Sequence, residues 1–340
     1  MPELKFEEIV KDIRNKTFYP VYFLMGEETF YIDVICDMLE DKVLTETEKE
    51  FNFSQLYGKE TDIPTMLSVA KRFPMMASHH LVIYKEAQNI KEIEKKEDLL
   101  AYIKNPLKST VLVICYKYKT LDKRKTLFKT ISKTGVVFEG KKLYDNQVPG
   151  WIDNYVKRKG YRIGPKALQM LADHLGNDLA KIVNEIGKLF ISMKKGDEIT
   201  PKIIEENIGI SKDFNIFEFQ NALGKNDQLK AYRIAKYFGD NPKSNPLVLT
   251  IGLLYQYFAK ILTYHSLRDK SQRNVAAELS IHTFFVKDYT EGARRFPPQK
   301  AIKAISLLRE YDLKQKGVTD IKTDEGELLK EMTYRIMNQK

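Results

Sequence analysis

Residues Val21–Gly26 (VYFLMG) read as a buried strand that ends in glycine and runs straight into a helix. In a nucleotide-binding α/β domain this turn carries a glycine-rich loop and a Lys-Ser/Thr pair. Consecutive backbone N–H groups and the helix N-terminus hold phosphate there, and the hydroxyl holds Mg²⁺. Here the chain continues Glu27-Glu28-Thr29-Phe30, with two carboxylates and no lysine. An ATPase also needs a carboxylate at the end of a neighbouring strand to hold the metal. The run Leu81–Tyr84 is followed instead by Lys85-Glu86, and Val111–Tyr116 by Lys117. A lysine at a strand end repels a metal ion. Both halves of a Mg-ATP site are missing, which argues against hydrolysis more strongly than either gap alone.

Other patterns carry less. Gly135–Lys142 (GVVFEGKK) matches G-x-x-x-x-G-K and then lacks Ser/Thr. Its central VVFE is a strand, which cannot aim consecutive N–H groups at an anion. His79-His80 invite a metal reading, but neighbours on a strand point to opposite faces. His174, His265 and His282 fall on separate predicted helices. No metal-ligand spacing, nucleophile elbow or triad pattern is present, so neither a metal nor another cofactor is expected.

Two segments remain. In Arg72-Phe73-Pro74-Met75-Met76-Ala77-Ser78, Pro74 breaks a helix and bulky apolar side chains flank it in what should be a surface loop. Methionine is flexible and polarizable and suits a protein-binding surface, but on pattern alone the plain reading comes first: Met75 and Met76 cap the core where helix meets sheet. Lys117–Lys133 (KYKTLDKRKTLFKTISK) holds seven basic residues against Asp122 alone. Lys117, Lys119, Lys123, Arg124 and Lys125, just past a strand, are candidate DNA phosphate contacts. The plain reading is a solvated helix face.

The elements that position these residues alternate over the first 140 residues. Strand-like runs occur at Val21–Leu24, Phe51–Tyr57, His80–Tyr84, Val111–Tyr116 and Val136–Glu139. Helical patterns lie near Phe30–Leu44, Ile63–Arg72, Glu92–Ile103 and Lys123–Ser132. This spacing is that of βαβ units, and continuously apolar runs such as VLVICY fit strands covered on both faces. A parallel sheet with helices on both sides follows.

After Gly140 the strand signal stops. Pro165 opens a helix and Gly176 closes it. Asn177-Asp178 precede a second helix with Leu179, Ile182, Val183, Ile186, Leu189 and Phe190 on one face. Thr200-Pro201 start a third, ending at Asn207–Gly209. Beyond residue 212 come long aromatic-rich amphipathic segments. Leu247–Leu267 contains Lys260 and several polar groups, and reads as a core helix of a bundle rather than a membrane span. Pro297-Pro298 introduce Gln299–Lys316, and Asp324–Met337 is the last helix. The fold class is therefore α/β plus all-α, with units at residues 1–142, 143–211 and 212–340.

Apolar residues make up 43% of the 340-residue chain and charged residues 30%, which supports sizeable cores and a soluble, non-membrane protein. The charged, amphipathic start (MPELKFEEIVKDI) is not a signal peptide. Cys36 and Cys115, the two cysteines, lie far apart in sequence with no metal or disulfide spacing, as in a reducing cytoplasmic setting. The net charge of +10 is uneven: residues 1–140 hold 22 Lys and Arg against 22 Asp and Glu, while residues 141–340 hold 34 against 24. A basic second portion points to a polyanion, or to a solvated helical surface.

Taken in order, the segments VYFLMGEETF, FPMMASHHLVIYKEA, LADHLGNDLAKIVNEIGKL, IFEFQNALGKND, YDLKQKGV and GELLKEM carry a family likeness. Over essentially its full length the chain resembles the delta subunit of the bacterial DNA polymerase III clamp loader. The resemblance implies an AAA+-like α/β domain, a small helical lid and a C-terminal helical collar. It implies a non-catalytic subunit of the DNA polymerase III holoenzyme (a DNA-directed DNA polymerase, a nucleotidyltransferase). Proteins of this family bind the beta sliding clamp and favour ring opening for loading onto primed DNA. The other implied partners are the gamma/tau and delta-prime subunits, through the collar. The clamp-binding hydrophobic pair falls on Met75 and Met76, flanked by Phe73 and Pro74; the family pair is often Leu-Phe. The alternatives are an active AAA+-type ATPase with an atypical site, or a DNA-binding replication or repair factor.

Overall fold

The computed structural model describes residues 4–318 and 324–339, so the first three residues of the charged N-terminal stretch lie outside the described residues. The chain divides into two compact units, Met1–Leu143 and Tyr144–Lys340. In the first unit the elements run α1 (Phe6–Arg14), β1 (Val21–Gly26), α2 (Thr29–Val43), α3 (Glu46–Asn52), β2 (Phe53–Tyr57), α4 (Ile63–Ala70), β3 (His80–Lys85), α5 (Glu97–Lys104), β4 (Thr110–Lys117), α6 (Thr126–Thr134) and β5 (Val136–Gly140).

The five strands form one parallel sheet in the order β2-β3-β4-β1-β5. The period of two along β1 assigns its side chains to two cores. Val21, Phe23 and Met25 pack with residues of α4, α5 and α6. Tyr22 and Leu24 pack with residues of α1 and α2. Every residue of β1 is buried, which is why the sequence reads as an unbroken apolar run.

Several boundaries differ from the sequence reading; the helix expected at Lys123–Ser132 starts at Thr126, and two further differences have a clear cause. The expected strand Phe51–Tyr57 loses its first two residues to α3, which Thr45 and Glu48 start with a capping box. That helix is seven residues long, ETEKEFN, with no apolar stripe to announce it. The expected helix Glu92–Ile103 is broken: Ile93–Lys95 is a 3₁₀ turn behind a left-handed Glu92, and α5 begins only at Glu97. The two cysteines, far apart in sequence, are neighbours in the fold and remain unbonded. Cys36 on α2 and Cys115 on β4 are buried free thiols with their Sγ atoms 3.3 Å apart. The shared hydrogen bond and burial push the Cys36 thiol up.

The second unit is helical. It opens with α7 (Val148–Arg158), α8 (Pro165–Leu175), α9 (Leu179–Ser192) and α10 (Pro201–Ile208). Where strand signal was expected to stop, two short strands, β6 (Arg162–Ile163) and β7 (Glu198–Ile199), pair in parallel. Two-residue strands are too short for a period to register. The local signals do fix the helix ends: Asp178 accepts from the Lys181 N–H, Thr200 from the Ile203 N–H, and Gly209 closes α10 in the left-handed conformation. Then follow α11 (Ile216–Gly224), α12 (Gln228–Asp240), α13 (Leu247–Ser266), α14 (Gln272–Glu278), α15 (Val286–Arg295), α16 (Pro298–Gln315) and α17 (Glu325–Met337) around one apolar core. Helix α13 has the length and apolar composition of a membrane span. Its Ile251, Leu254, Phe258 and Ile261 lie in that core, packed with residues of α16.

Asp173 of α8 holds a carboxyl group inside this unit, near Lys260 of α13. Burial pushes it up to about 7, against the Gln169 amide that donates to it at 2.7 Å and the attraction of Lys260. The unfolded chain loses this proton near 3.8 and the folded chain near 7, so the fold pays an ionisation penalty that grows across that window. Asp173→Asn keeps the acceptor for Gln169. It is expected to raise unfolding stability by about 2–4 kcal/mol at pH 8, and by nothing below pH ~4. Urea unfolding of both proteins at the two pH values checks this.

Candidate functional site

The turn after β1 shows what replaces a phosphate loop. The Glu28 carboxylate caps α2, its Oε1 accepting the Phe30 N–H at 3.1 Å, and the residue is buried. The positive end of α2 is therefore filled by the chain's own anion. The Glu28 N–H donates to the Gly140 carbonyl at 3.0 Å, so this backbone also faces inward. At the end of the adjacent strand, Lys117 lies in register with Gly26 and reaches Asp33 of α2 at 2.6 Å. Burial works against the Lys117 charge, but Asp33 outweighs it and holds the ammonium above its usual range. A cation and its counter-ion thus stand where a metal ligand would be required.

The histidine pair separates as strand geometry demands. His80 is buried with its Nε2 3.4 Å from Ser54 Oγ, while His79 meets the Phe18 ring edge-on at 5.7 Å. Burial lowers both imidazoles, that of His80 with help from Arg72.

The loop between α4 and β3 takes the surface alternative left open by the sequence. Phe73, Met75 and Met76 are 77%, 62% and 103% exposed, with Pro74 half-buried between them. They do not cap the core; Ala77 does, packing against the α1–α2 side of the sheet. Asp62 and Pro64 start α4, and the helix stops at Ala70, whose carbonyl accepts from Thr110 Oγ1 at 2.8 Å. The loop is held by one residue that sequence reasoning missed. Asn52, the last residue of α3 and 1% exposed, donates from Nδ2 to the Met75 carbonyl at 2.9 Å. Its Oδ1 accepts the Met75 N–H at 2.6 Å, and Nδ2 also reaches the Glu48 carbonyl at 3.0 Å. The amide thus pairs with Met75 as a neighbouring strand would. Met76, next in line, adopts a left-handed backbone (φ 51°) that turns its side chain outward. Phe73 forms one wall of an open groove of about 590 Å³ with Pro64 and Leu67 of α4 and Ala101 of α5.

The basic residues after β4 are mostly engaged locally. Lys117 holds Asp33, Lys119 Nζ donates to the Gln88 carbonyl at 2.9 Å, and Lys123 pairs with Glu139 at 3.0 Å. Arg124 forks onto Asp122, which its side chain and backbone N–H hold down at about 2. Lys125 has no ion pair among the described residues and stands at the N-cap of α6. Among the described residues no three His, Cys, Asp or Glu side chains are grouped to hold a metal ion.

A parallel five-stranded sheet clothed by helices on both faces, followed by a helical unit, is the α/β plus all-α fold class. Two family models match: that of the DNA polymerase III delta subunit over residues 22–141, and that of the C-terminal domain of the DNA polymerase III delta subunit over residues 213–329. The chain is 28% identical over 319 residues to the DNA polymerase III subunit delta of Bacillus subtilis, covering 91% of each. It is 24% identical over 278 residues to a probable DNA polymerase III subunit delta of Aquifex aeolicus, covering 76% of each. The solved Bacillus subtilis DNA clamp loader delta protein is similar in structure, at a TM-score of 0.56 and 27% identity, over 98% of this chain and 100% of that one. The chain belongs to the DNA polymerase III delta subunit family.

Proposed function

We propose that this chain is the clamp-opening member of its loader: it binds the sliding clamp through Met75 and Met76 and favours the open ring. The observation that carries this reading is an apolar loop tip exposed to solvent yet fixed from behind by buried Asn52. Free apolar side chains gain by burial in a partner pocket, and a fixed backbone reduces the ordering cost of binding. Affinity for the open ring alone shifts the ring equilibrium by the differential affinity and no further. The role is non-catalytic, in the cytoplasm. Nucleotide-driven changes would come from gamma/tau and delta-prime neighbours, docked through a collar at residues 212–340, beyond a lid at residues 143–211. Primed DNA would pass within that assembly. The capped α2 and the Lys117–Asp33 pair support this over an atypical ATPase.

The test is capture of the same organism's clamp by the full chain, alone and with the other loader subunits, for wild type and Asn52→Ala. Wild type should capture the clamp. The variant should do so about tenfold more weakly, having lost the hydrogen bonds that fix Met75. Absence of capture by wild type under both conditions would refute the role.

A further inference from the structure

Two basic loops that are 35 residues apart in sequence are held side by side in the second unit. The first closes and follows α7: Lys157 and Arg158 in its last turn, then Lys159 and, across a glycine turn, Arg162. The second follows α9: Lys194 and Lys195. The β6–β7 pairing joins them, with the Arg162 N–H donating to the Asp197 carbonyl at 3.0 Å and the Gly196 N–H to the Gly160 carbonyl at 2.8 Å. The Lys195 stem lies over Gly160, its Cδ 3.7 Å from where a β-carbon there would sit. All six basic residues are exposed.

Local structure accounts for only part of the cluster: Arg162 Nε donates to the Gly196 carbonyl at 3.2 Å. The negative end of α7 explains Lys157 and Arg158, and Lys157 also pairs with Asp153 at 2.6 Å. Lys159, Lys194 and Lys195 lie beyond the helices with no ion pair among the described residues, although Asp197 and Glu198 follow directly in the second loop. Asp197 accepts the Lys194 backbone N–H at 2.9 Å rather than an ammonium. Beside the cluster runs a ladder of rings: Trp151 on Tyr155 at 5.3 Å, and Phe190 on Tyr161 at 4.2 Å, with Lys159 Nζ 5.8 Å from the Tyr155 ring. Exposed cations, one of them over a half-buried ring, fit a phosphate backbone and not an apolar or basic partner.

We propose that this paired-loop surface is a DNA backbone-binding site, separate from both the Met75–Met76 loop and the Lys117–Lys125 cluster. It rests on the proposed loader role only in taking DNA to be a partner. The test compares wild type with Lys159→Gln/Lys194→Gln/Lys195→Gln, as full chain and in the assembled loader, on a labelled primed-template oligonucleotide between about 50 and 200 mM salt. The slope of log affinity against log salt should become shallower by about 2–3, with clamp capture unchanged. A control, Lys91→Gln/Lys96→Gln/Lys108→Gln, alters net charge equally through exposed lysines of the first unit and should leave the slope as it was. An unchanged slope in the folded variant, or an equal loss in the control, overturns the site. So does weakened subunit assembly with DNA binding intact, which would make the surface a protein contact. Loss of clamp capture by wild type would count against the clamp reading and not against this one.

Discussion

Replacing Met75 and Met76 together by alanine is expected to weaken clamp capture by roughly 10²–10³-fold while leaving thermal unfolding unchanged. Burying a methionine side chain is worth about 1.5–3 kcal/mol, and both tips here are exposed in the free chain, Met76 fully and Met75 for the most part, so most of their apolar surface is available to a partner. Two such losses amount to about 3–6 kcal/mol, less what the alanine β-carbons keep and whatever the pocket recovers by closing. Stability should not follow, because neither side chain belongs to a core. Titration of clamp against both proteins, with unfolding curves as control, checks both halves. Equal affinity in a folded double variant would remove the loop from the interface. Leu-Phe in place of Met-Met should retain or strengthen binding, since it keeps apolar bulk and adds stiffness.

The second large effect is on stability, at the turn between β1 and α2. Gly26→Ala is expected to cost about 3–5 kcal/mol or to abolish folding. Gly26 has φ +116°, where an alanine is strained. A β-carbon there would lie 2.3 Å from the Gly140 carbonyl oxygen and 2.8 Å from the Gly140 nitrogen, both backbone atoms that cannot swing away. Gly140 is itself closed in, its added β-carbon meeting the Glu28 carbonyl oxygen at 2.4 Å. The glycine at the end of β1 thus serves the close packing of β1, β5 and the turn. Urea unfolding checks this; a near-wild-type midpoint for the variant would show that the backbones can separate.

What the sequence made legible was local. The run VYFLMG, Pro165 with Gly176, and the Asp178 and Thr200 caps each act within a turn or two, so residue type and period suffice. The missing phosphate-binding groups were equally plain, since a loop motif is contiguous. The Met75–Met76 pair was legible in place but not in exposure, because bulky residues between a helix and a strand read alike whether they cap a core or leave it. Asn52 was invisible: an asparagine at the end of a short polar helix carries no sign of a partner 23 residues on. The same holds for Lys117 with Asp33, for the two thiols, and for Lys195 over Gly160. These are pairings made by the sheet order and the helix packing, which no window along the chain contains.

The Glu28 cap has a consequence for timing. A carboxylate carried on the backbone beside the helix end it neutralises acts at an effective concentration in the millimolar range or above, fixed by the chain and not by the solution. Dissolved anions, nucleotides among them, must displace a competitor that never diffuses away. The first unit therefore keeps the same shape at this turn however the nucleotide pool rises or falls. On the proposed clamp-opening role, such a part would be a fixed reference against which the movements of its nucleotide-cycling neighbours act on the ring.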